Sequence, residues 1–117
     1  MSRRPDSLLL ADISEAIERI TSYLQGLSVT EFLTDRRTQD AVIRNLEVIG
    51  EAVKLLSDAS QAAYPDVPWR LMARSRDRLI HGYFGVNLDI VWHIAATELP
   101  RVATALSRPD APQKTPG

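Results

Sequence analysis

The sequence predicts an all-α protein, a bundle of four main helices joined by short ones. Apolar residues recur every three or four positions along two long stretches, which is the spacing of a helix face. No stretch alternates apolar and polar residues over the length of a strand, and no internal repeat is visible. We expect one domain over residues 1–107, followed by a disordered, proline-rich tail at 108–117.

The first predicted helix follows a frayed segment at residues 1–5. Asp6 is a suitable N-cap for this helix, and Gly26 weakens its last turn. A short helical turn is expected next, because Ser28 and Glu31 fit the capping-box pattern. The apolar face of the first helix comprises Leu9, Ile13, Ile17, Ile20, Leu24 and Leu27.

The second long helix is expected to begin at a cap formed by Asp35 or Thr38. Gly50 in its middle costs about 1 kcal/mol relative to alanine, which a close crossing by another helix would offset. Glu47 and Glu51 lie on one flank, and we interpret them as a solvated face rather than as catalytic acids. The apolar stripe of this helix comprises Val42, Leu46, Ile49, Val53 and Leu56.

The second half of the chain begins with a predicted loop over residues 57–68. Asp66 is the expected cap of the next helix, with Pro68 in its first turn, where a missing N–H costs nothing. Gly82 and Gly85 end the helical pattern. The residues expected to be buried in this helix are Trp69, Met72 and Leu79.

The last helix is expected to start at Asn87 or Asp89. Pro100 lies inside it and should kink or split the helix near Glu98, because proline removes one backbone hydrogen bond. Its core residues are predicted to be Ile90, Val91, Ile94, Leu99 and Val102.

The composition limits the kinds of protein that this chain can be. It has no cysteine, which excludes a disulfide framework and a thiolate metal site. No apolar run approaches the roughly 20 residues that span a bilayer, and the N-terminus lacks a signal-type apolar block. We therefore expect a cytoplasmic protein without a membrane partner. The formal net charge of −1 argues against a purely electrostatic nucleic-acid binder.

The densest run of chemically able side chains is Arg74-Ser-Arg-Asp-Arg-Leu-Ile-His-Gly-Tyr83. From Arg70 to His81 there are four arginines and one acid, an excess that could attract a phosphate backbone. A guanidinium can fork onto a phosphate, and an imidazole that titrates near neutral pH can move protons. These residues are suited to RNA cleavage. A solvated arginine-rich helix face or a subunit interface is the structural alternative.

This run resembles a known motif. Arg76-Asp-Arg-Leu-Ile-His81-Gly-Tyr83 is similar to the Arg-x4-His-x-Tyr motif of the HepT-like toxins, a branch of the HEPN ribonucleases. The resemblance covers roughly residues 8 to 107 and implies a HEPN-like helical bundle with endoribonuclease activity. Three further segments resemble the family in order and at its spacing: Asn45-Leu-Glu-Val-Ile-Gly-Glu-Ala-Val53, Tyr64-Pro-Asp-Val-Pro-Trp-Arg70 and Tyr83-Phe-Gly-Val-Asn-Leu-Asp-Ile-Val-Trp92.

The spacing inside the motif leaves the geometry of a site open. At about 100° per residue, Arg76 and His81 lie about 140° apart on a regular helix and cannot reach one phosphate within one chain. Arg74 would share a face with His81, and Asp77 could orient its ring. Either the helix ends before Gly82 and swings His81 round, or Arg76 and His81 of two chains meet across a two-fold axis. Because HEPN ribonucleases are similar in using a dimeric cleft, we adopt the homodimer as a hypothesis.

The resemblance implies a role for each motif residue. His81 would help to take the proton of a ribose 2′-hydroxyl that attacks the adjacent phosphate, and Arg76 would stabilise the added negative charge. Asp77, where the family often has Asn or Asp, would orient His81 or hold the helix end. Arg74 and Arg78 are the other supporting candidates, and Arg74 departs from the family pattern, which leaves open whether Arg74 or Arg76 contacts the phosphate. The expected substrate is RNA, either tRNA or mRNA. No metal or cofactor is expected, since the sequence offers no clustered ligand set and His93 has nothing of the motif around it.

Tyr83 has a separate implied role. In HepT-like systems an adjacent MNT-type nucleotidyltransferase antitoxin transfers AMP to the tyrosine of this motif, so the resemblance makes Tyr83 the acceptor in a type VII-like toxin–antitoxin system. A bulky anion two residues from His81 would occupy the phosphate subsite and repel RNA. The structural alternative is a core or interface tyrosine that closes the helix end.

Two other interpretations stay open at the level of sequence. In the first, the chain is a non-catalytic dimeric helical module that binds nucleotide or a partner protein, with Arg76 and His81 as anion ligands. In the second, the arginine-rich helix is structural, and His81 binds the terminal carbonyl groups of its own helix. The chemistry of the RNA ends separates catalysis from both, because 2′-hydroxyl attack leaves a 2′,3′-cyclic phosphate.

Overall fold

We analysed a computed structural model of the chain, which describes residues 4–75, residue 78 and residues 85–108. These residues are mostly helical, and no β-strand occurs among them, so the all-α prediction is confirmed for this part of the chain. The predicted tail lies outside the described residues except for Arg108. The helical elements are α1 Asp6–Leu24, α2 Val29–Leu33, α3 Arg36–Leu55, α4 Asp58–Ala62, α5 Trp69–Ala73, α6 Leu88–His93, a π-helical turn Ile94–Glu98, and α7 Leu99–Leu106.

The two long helices α1 and α3 pack side by side and run in opposite directions, since the start of α1 contacts the chain just after α3. Their predicted apolar faces are buried except for Leu24 and, beyond the end of α1, Leu27, which are half-buried; both faces follow the spacing of three and four residues that the sequence showed. Burying a side chain of this size contributes about 1.5 to 3 kcal/mol. The buried residues of this pair are Leu9, Ile13, Ala16, Ile17 and Ile20 from α1, and Val42, Leu46, Ile49, Ala52 and Val53 from α3.

The caps of these helices agree with the sequence at two of three places. Ser28 and Glu31 form the predicted capping box of α2, and the Asp35 carboxylate accepts a hydrogen bond from the Thr38 N–H of α3 at 3.1 Å. The third prediction is wrong, because Pro5 rather than Asp6 occupies the cap of α1. Asp6 instead accepts hydrogen bonds from Ser57. A carboxylate on the first turn of α1 therefore connects α1 to the segment that follows α3.

The segment after α3 differs from the predicted loop. Residues 57–68 contain the short helix α4, which Ser57 caps by accepting a hydrogen bond from the Ser60 N–H at 3.1 Å. Asp66 does not cap α5, since Pro68 occupies that position and supplies no side-chain hydrogen bond. Proline suits this position because it has no N–H that would need a partner. Of the residues expected to be buried in this helix, Trp69 and Met72 are buried, and Leu79 lies outside the described residues.

Residues 88–106 form one continuous helical rod, made of α6, the π-helical turn and α7, which we call the C-terminal rod. Asn87 caps it, as predicted, by accepting a hydrogen bond from the Ile90 N–H at 3.2 Å. The rod packs against α1 and α3. The predicted core residues of the rod are buried except for Ile90, which is half-buried; the buried ones are Val91, Ile94, Leu99 and Val102.

Pro100 disturbs the rod near Glu98, as predicted, but the helix is not split. Glu98 and Leu99 both keep right-handed helical backbone angles, and Pro100 lies in the first turn of α7. The disturbance is the wider π-helical turn before it, in which the Leu99 N–H donates to the carbonyl of Ile94, five residues earlier. Such turns absorb an irregularity in the hydrogen-bond ladder without ending the helix.

Candidate functional site

The helix that was predicted to carry the motif is interrupted before the motif begins. α5 ends at Ala73, and Arg74 forms a turn with φ −96° and ψ 10°. Helical backbone resumes at Ser75, and the Arg78 N–H donates to the Arg74 carbonyl at 3.0 Å. The Ser75 hydroxyl is buried and donates to the Met72 carbonyl at 2.7 Å. Trp69 and Ser75 therefore lie on different helical segments, where the sequence predicted a single helix.

The described residues include only part of the predicted site. Arg76, Asp77, His81 and Tyr83 lie outside them, so the relative placement of Arg76 and His81 stays a prediction. Arg74 is described. Its side chain is exposed at the turn after α5, and within the described part of the chain it forms no ion pair.

Arg78 is described as well, and its guanidinium is already engaged. Its two terminal nitrogens donate to the two carboxylate oxygens of Glu98, each at 2.8 Å. The side chains are 25% and 21% exposed, so water screens this pair less than it screens a surface pair. Hydrogen bonding from Arg78 lowers the pKa of Glu98 below its ordinary range and outweighs burial, which would raise that pKa. The pair is charged at neutral pH, and the Arg78 charge is neutralised within the fold.

Glu98 also contacts His93. The Nε2 atom of His93 lies 3.3 Å from a carboxylate oxygen of Glu98. On an α-helix, residues five apart lie about 140° from each other and do not meet. The π-helical turn between them advances more slowly around the axis, and this brings His93 and Glu98 onto one side of the rod. His93 was predicted to be structural or on the surface, and its side chain is 59% exposed.

A separate groove of about 690 Å³ lies along α1 and α3. Glu47 and Glu51 line it and are exposed, and Glu51 lies 3.9 Å from Lys54 in a loose pair of exposed side chains. An exposed pair at this spacing contributes only a few tenths of a kcal/mol. These observations agree with the solvated-face interpretation of the two glutamates.

The same residues can be checked for a metal site and for a membrane span. Within residues 4–75, 78 and 85–108, no three acidic, histidine or cysteine side chains are grouped so that they could hold a metal ion. His81 and Asp77 fall outside that range, so metal independence stays a prediction. A search of the described helices also finds none with the length and apolar character needed to cross a bilayer.

Comparison with known proteins decides the family. The family model described as "Ribonuclease HepT-like" matches residues 13–108. This chain belongs to the HepT-like ribonuclease family. It is 47% identical over 100 residues to the Methanocaldococcus jannaschii protein named "Putative RNase MJ0127", a match that covers 86% of this chain and 83% of the relative. It is 46% identical over 91 residues to "Probable ribonuclease HepT" of Thermococcus cleftensis, covering 78% of this chain and 83% of the relative.

A third relative comes from a bacterium. The Caldanaerobacter subterraneus protein named "Putative RNase TTE0752" is 39% identical over 93 residues, which cover 80% of this chain and 83% of that protein. No solved structure matches this chain. The family assignment therefore agrees with the resemblance read from the motif.

The match to the HepT-like ribonucleases includes both partners of the Arg78–Glu98 pair as well as the motif. From the sequence, Arg78 was predicted only to support the catalytic residues, and Glu98 was expected only to mark the place where Pro100 would bend the helix. The available signal for Glu98 was an acid two residues before a proline in a helix of largely apolar and neutral residues. That signal gave no partner, because the partner lies 20 residues earlier in the chain.

Proposed function

We propose that this HepT-like ribonuclease is a metal-independent endoribonuclease and the toxin of a type VII-like toxin–antitoxin system. The observation that carries the proposal is the family match over residues 13–108, which includes the complete Arg76, His81 and Tyr83 motif. The names of the relatives describe ribonucleases and say nothing of the substrate within RNA. The proposed substrate is RNA, either tRNA or mRNA.

In the proposed reaction the ribose 2′-oxygen attacks the adjacent phosphorus while His81 accepts the 2′-hydroxyl proton. Arg76 stabilises the charge of the five-coordinate phosphorus. The bond to the 5′-oxygen then breaks, and water or the partner subunit's His81 gives that oxygen a proton. The products are a 2′,3′-cyclic phosphate and a 5′-hydroxyl end, and no electron acceptor or external co-reactant is needed.

The described part of the site supports this division of roles by elimination among the arginines. Arg78 donates a hydrogen bond from each of its two terminal nitrogens to Glu98, and a fork that faces a carboxylate cannot at the same time face a phosphate. Arg74 is exposed at a turn and is available to the RNA backbone as a second cation. Arg76 lies between them in sequence and remains the proposed ligand of the reacting phosphate.

The first test is RNA cleavage by purified protein in excess EDTA. Wild type should cleave and leave 2′,3′-cyclic phosphate ends, while His81→Ala and Arg76→Ala should lose at least about a hundredfold in rate, the scale of one positioned acid, base or charge. Arg19→Ala is the matched control for Arg76→Ala, because Arg19 is exposed and pairs only loosely with Glu15 on α1. Tight RNA binding without cleavage would instead favour the non-catalytic module.

We further propose that the active unit is a homodimer with a composite cleft, in which Arg76 of one chain serves His81 of the other. Mixing Arg76→Ala chains with His81→Ala chains tests this directly. In a composite cleft the mixed dimer contains one intact site, so cleavage should return to about a quarter of the wild-type rate at random pairing. If each site lies within one chain, the mixture stays inactive. Native mass spectrometry of the same samples, with a tag on one of the two variants, establishes whether mixed dimers formed.

The last part of the proposal is control by AMP transfer. A nucleotidyltransferase antitoxin would catalyse attack of the Tyr83 phenol oxygen on the α-phosphorus of ATP, with loss of pyrophosphate and of the phenol proton to solvent. Incubation with such an enzyme, encoded next to this chain, and ATP should add one AMP group by intact mass and abolish cleavage. Tyr83→Phe should stay unmodified. Tyr23→Phe is the matched control, since Tyr23 is partly exposed on α1.

A further inference from the structure

The contact between Arg78 and Glu98 joins the predicted catalytic motif to the C-terminal rod. Arg78 comes two residues after Arg76 and three before His81, inside the motif. Glu98 lies in the C-terminal rod, 20 residues further along the chain. We call residues 75–83 the motif segment. Among the ion pairs of the described residues, the Arg78–Glu98 pair connects this segment to another element.

The geometry of the pair fixes an orientation as well as a distance. Two parallel hydrogen bonds of 2.8 Å between a planar guanidinium and a planar carboxylate restrain the rotation of both groups. A lysine at position 78 would keep the charge but lose this restraint, because an ammonium group is a point charge on a flexible stem.

The side that carries Glu98 is well anchored. Ile94, Ala95 and Leu99 flank it in sequence and are all buried at 3% exposure or less. Glu98 is the last residue of the π-helical turn, and His93 makes a second contact with the same carboxylate. The buried residues around Glu98 and the contact with His93 therefore fix the position of Glu98 on the rod.

We propose that Glu98 is a positioning residue of the ribonuclease centre: through its fork with Arg78, it holds the segment that carries Arg76 and His81 in register with the rod. This inference rests on the proposed function for its effect on cleavage, but the holding itself can be measured without RNA. Glu98 touches no substrate in this proposal. Its loss should weaken the alignment of the reacting groups while leaving the cations that attract RNA in place.

The experiment compares Glu98→Gln, which keeps the shape and removes the charge, with Arg78→Lys and with the charge-reversed pair Arg78→Glu/Glu98→Arg. Misalignment of reacting groups by a fraction of an ångström lowers kcat by about ten- to a hundredfold. We expect this loss in both single variants, a KM within about twofold of wild type, and partial recovery of kcat in the reversed pair. Glu15→Gln, which removes an exposed pair on α1, is the matched control and should change neither constant.

A second readout separates this inference from the proposed function. Hydrogen–deuterium exchange followed by mass spectrometry should show faster exchange between residues 75 and 85 in Glu98→Gln, with α1 and α3 unchanged. If wild type does not cleave RNA, the proposed function fails and this exchange result alone supports or rejects the holding role.

Three outcomes would overturn the inference. The first is an exchange pattern in Glu98→Gln identical to wild type. The second is a variant that loses thermal stability while kcat stays unchanged well below its melting temperature, which would make the pair merely structural. The third is a rise in KM with a smaller salt dependence of RNA binding for Arg78→Lys, which would place Arg78 on the phosphate.

Discussion

In the α1–α3 pair, ten buried apolar side chains, five from each helix, hold the two helices together. Among the described residues, an ion pair between Arg78 and Glu98 connects the motif segment to the C-terminal rod. Apolar contacts are non-directional and tolerate small shifts, whereas a forked ion pair demands one geometry. Non-directional packing thus connects α1 to α3, and a directional polar contact connects Arg78 to the rod.

The largest expected effect on stability comes from removing packing in the α1–α3 pair. Ile13 is fully buried, and Ile13→Ala should lower the free energy of unfolding by about 2 to 5 kcal/mol, from lost transfer energy and the cavity left behind. Urea unfolding measures the loss. Leu8→Ala is the control, since Leu8 is 45% exposed and its removal should cost much less. RNA cleavage per folded molecule should stay near wild type, and a large fall in kcat would show that the two regions are not separable.

The next prediction concerns the charge of Glu98. Glu98→Gln should lower the free energy of unfolding at pH 7 by about 1 to 2 kcal/mol, between the values for exposed and buried pairs. That effect is smaller than the loss expected for Ile13→Ala, but its predicted effect on kcat is larger. Ile13→Ala would then have the larger effect on stability and Glu98→Gln the larger effect on kcat, and this difference distinguishes the two regions.

The Glu98 contribution should also depend on pH in a definite direction. Hydrogen bonding from Arg78, with charge effects of Arg78, His93 and Arg101, holds the pKa of Glu98 below its ordinary value. A carboxyl with a lowered folded pKa stabilises the fold above its unfolded pKa of about 4.3, and this contribution is lost as the pH falls from there through the folded pKa. The difference between wild type and Glu98→Gln should therefore shrink between pH 5 and pH 3, roughly. A difference that is the same at pH 7 and at pH 3 would contradict this account.

The contrast also explains which features could be predicted from sequence. The buried stripes of α1 and α3 follow the helical period, so local spacing was enough to identify Ile13 and Leu46. The caps Ser28, Asp35 and Asn87 were predictable for the same reason, because each bonds an N–H three residues away. These features depend only on neighbours within one turn and could be predicted from the sequence, although the Ser57 cap of α4, which is equally local, was not.

Features that depend on distant partners could not be predicted from the sequence. Asp6 was predicted to cap its own helix, but its carboxylate bonds Ser57, 51 residues away. Glu98 was noticed only as the place where Pro100 would disturb the helix, because its partner Arg78 lies 20 residues earlier in the chain. The proposed catalytic residues came from the family motif rather than from spacing, which by itself placed Arg76 and His81 on different sides of a helix.

The smallest effect concerns the place where the two regions meet. Gly50 of α3 faces the Met72 carbonyl, which also accepts the hydrogen bond of Ser75 at the start of the motif segment. A Cβ added at Gly50 would lie 3.6 Å from that carbonyl oxygen, an ordinary contact, so the close crossing leaves room for a methyl group. Gly50→Ala should raise the free energy of unfolding by about 0.5 to 1 kcal/mol, because alanine favours the helix and restricts the unfolded chain.

Gly26→Ala provides the opposing control for that substitution. Gly26 has φ +79°, a left-handed conformation that disfavours a side chain, and its replacement should cost about 1 to 2 kcal/mol although nothing lies within 4 Å. Thermal unfolding of both variants should therefore shift in opposite directions. If Gly50→Ala is stabilising and leaves cleavage unchanged, hydrophobic packing can be improved up to the edge of the motif segment without disturbing alignment. A stabilised variant with a lower kcat would instead mean that Met72 and Ser75 transmit the position of α3 to the motif, and the separation between the two regions would then end at Ser75.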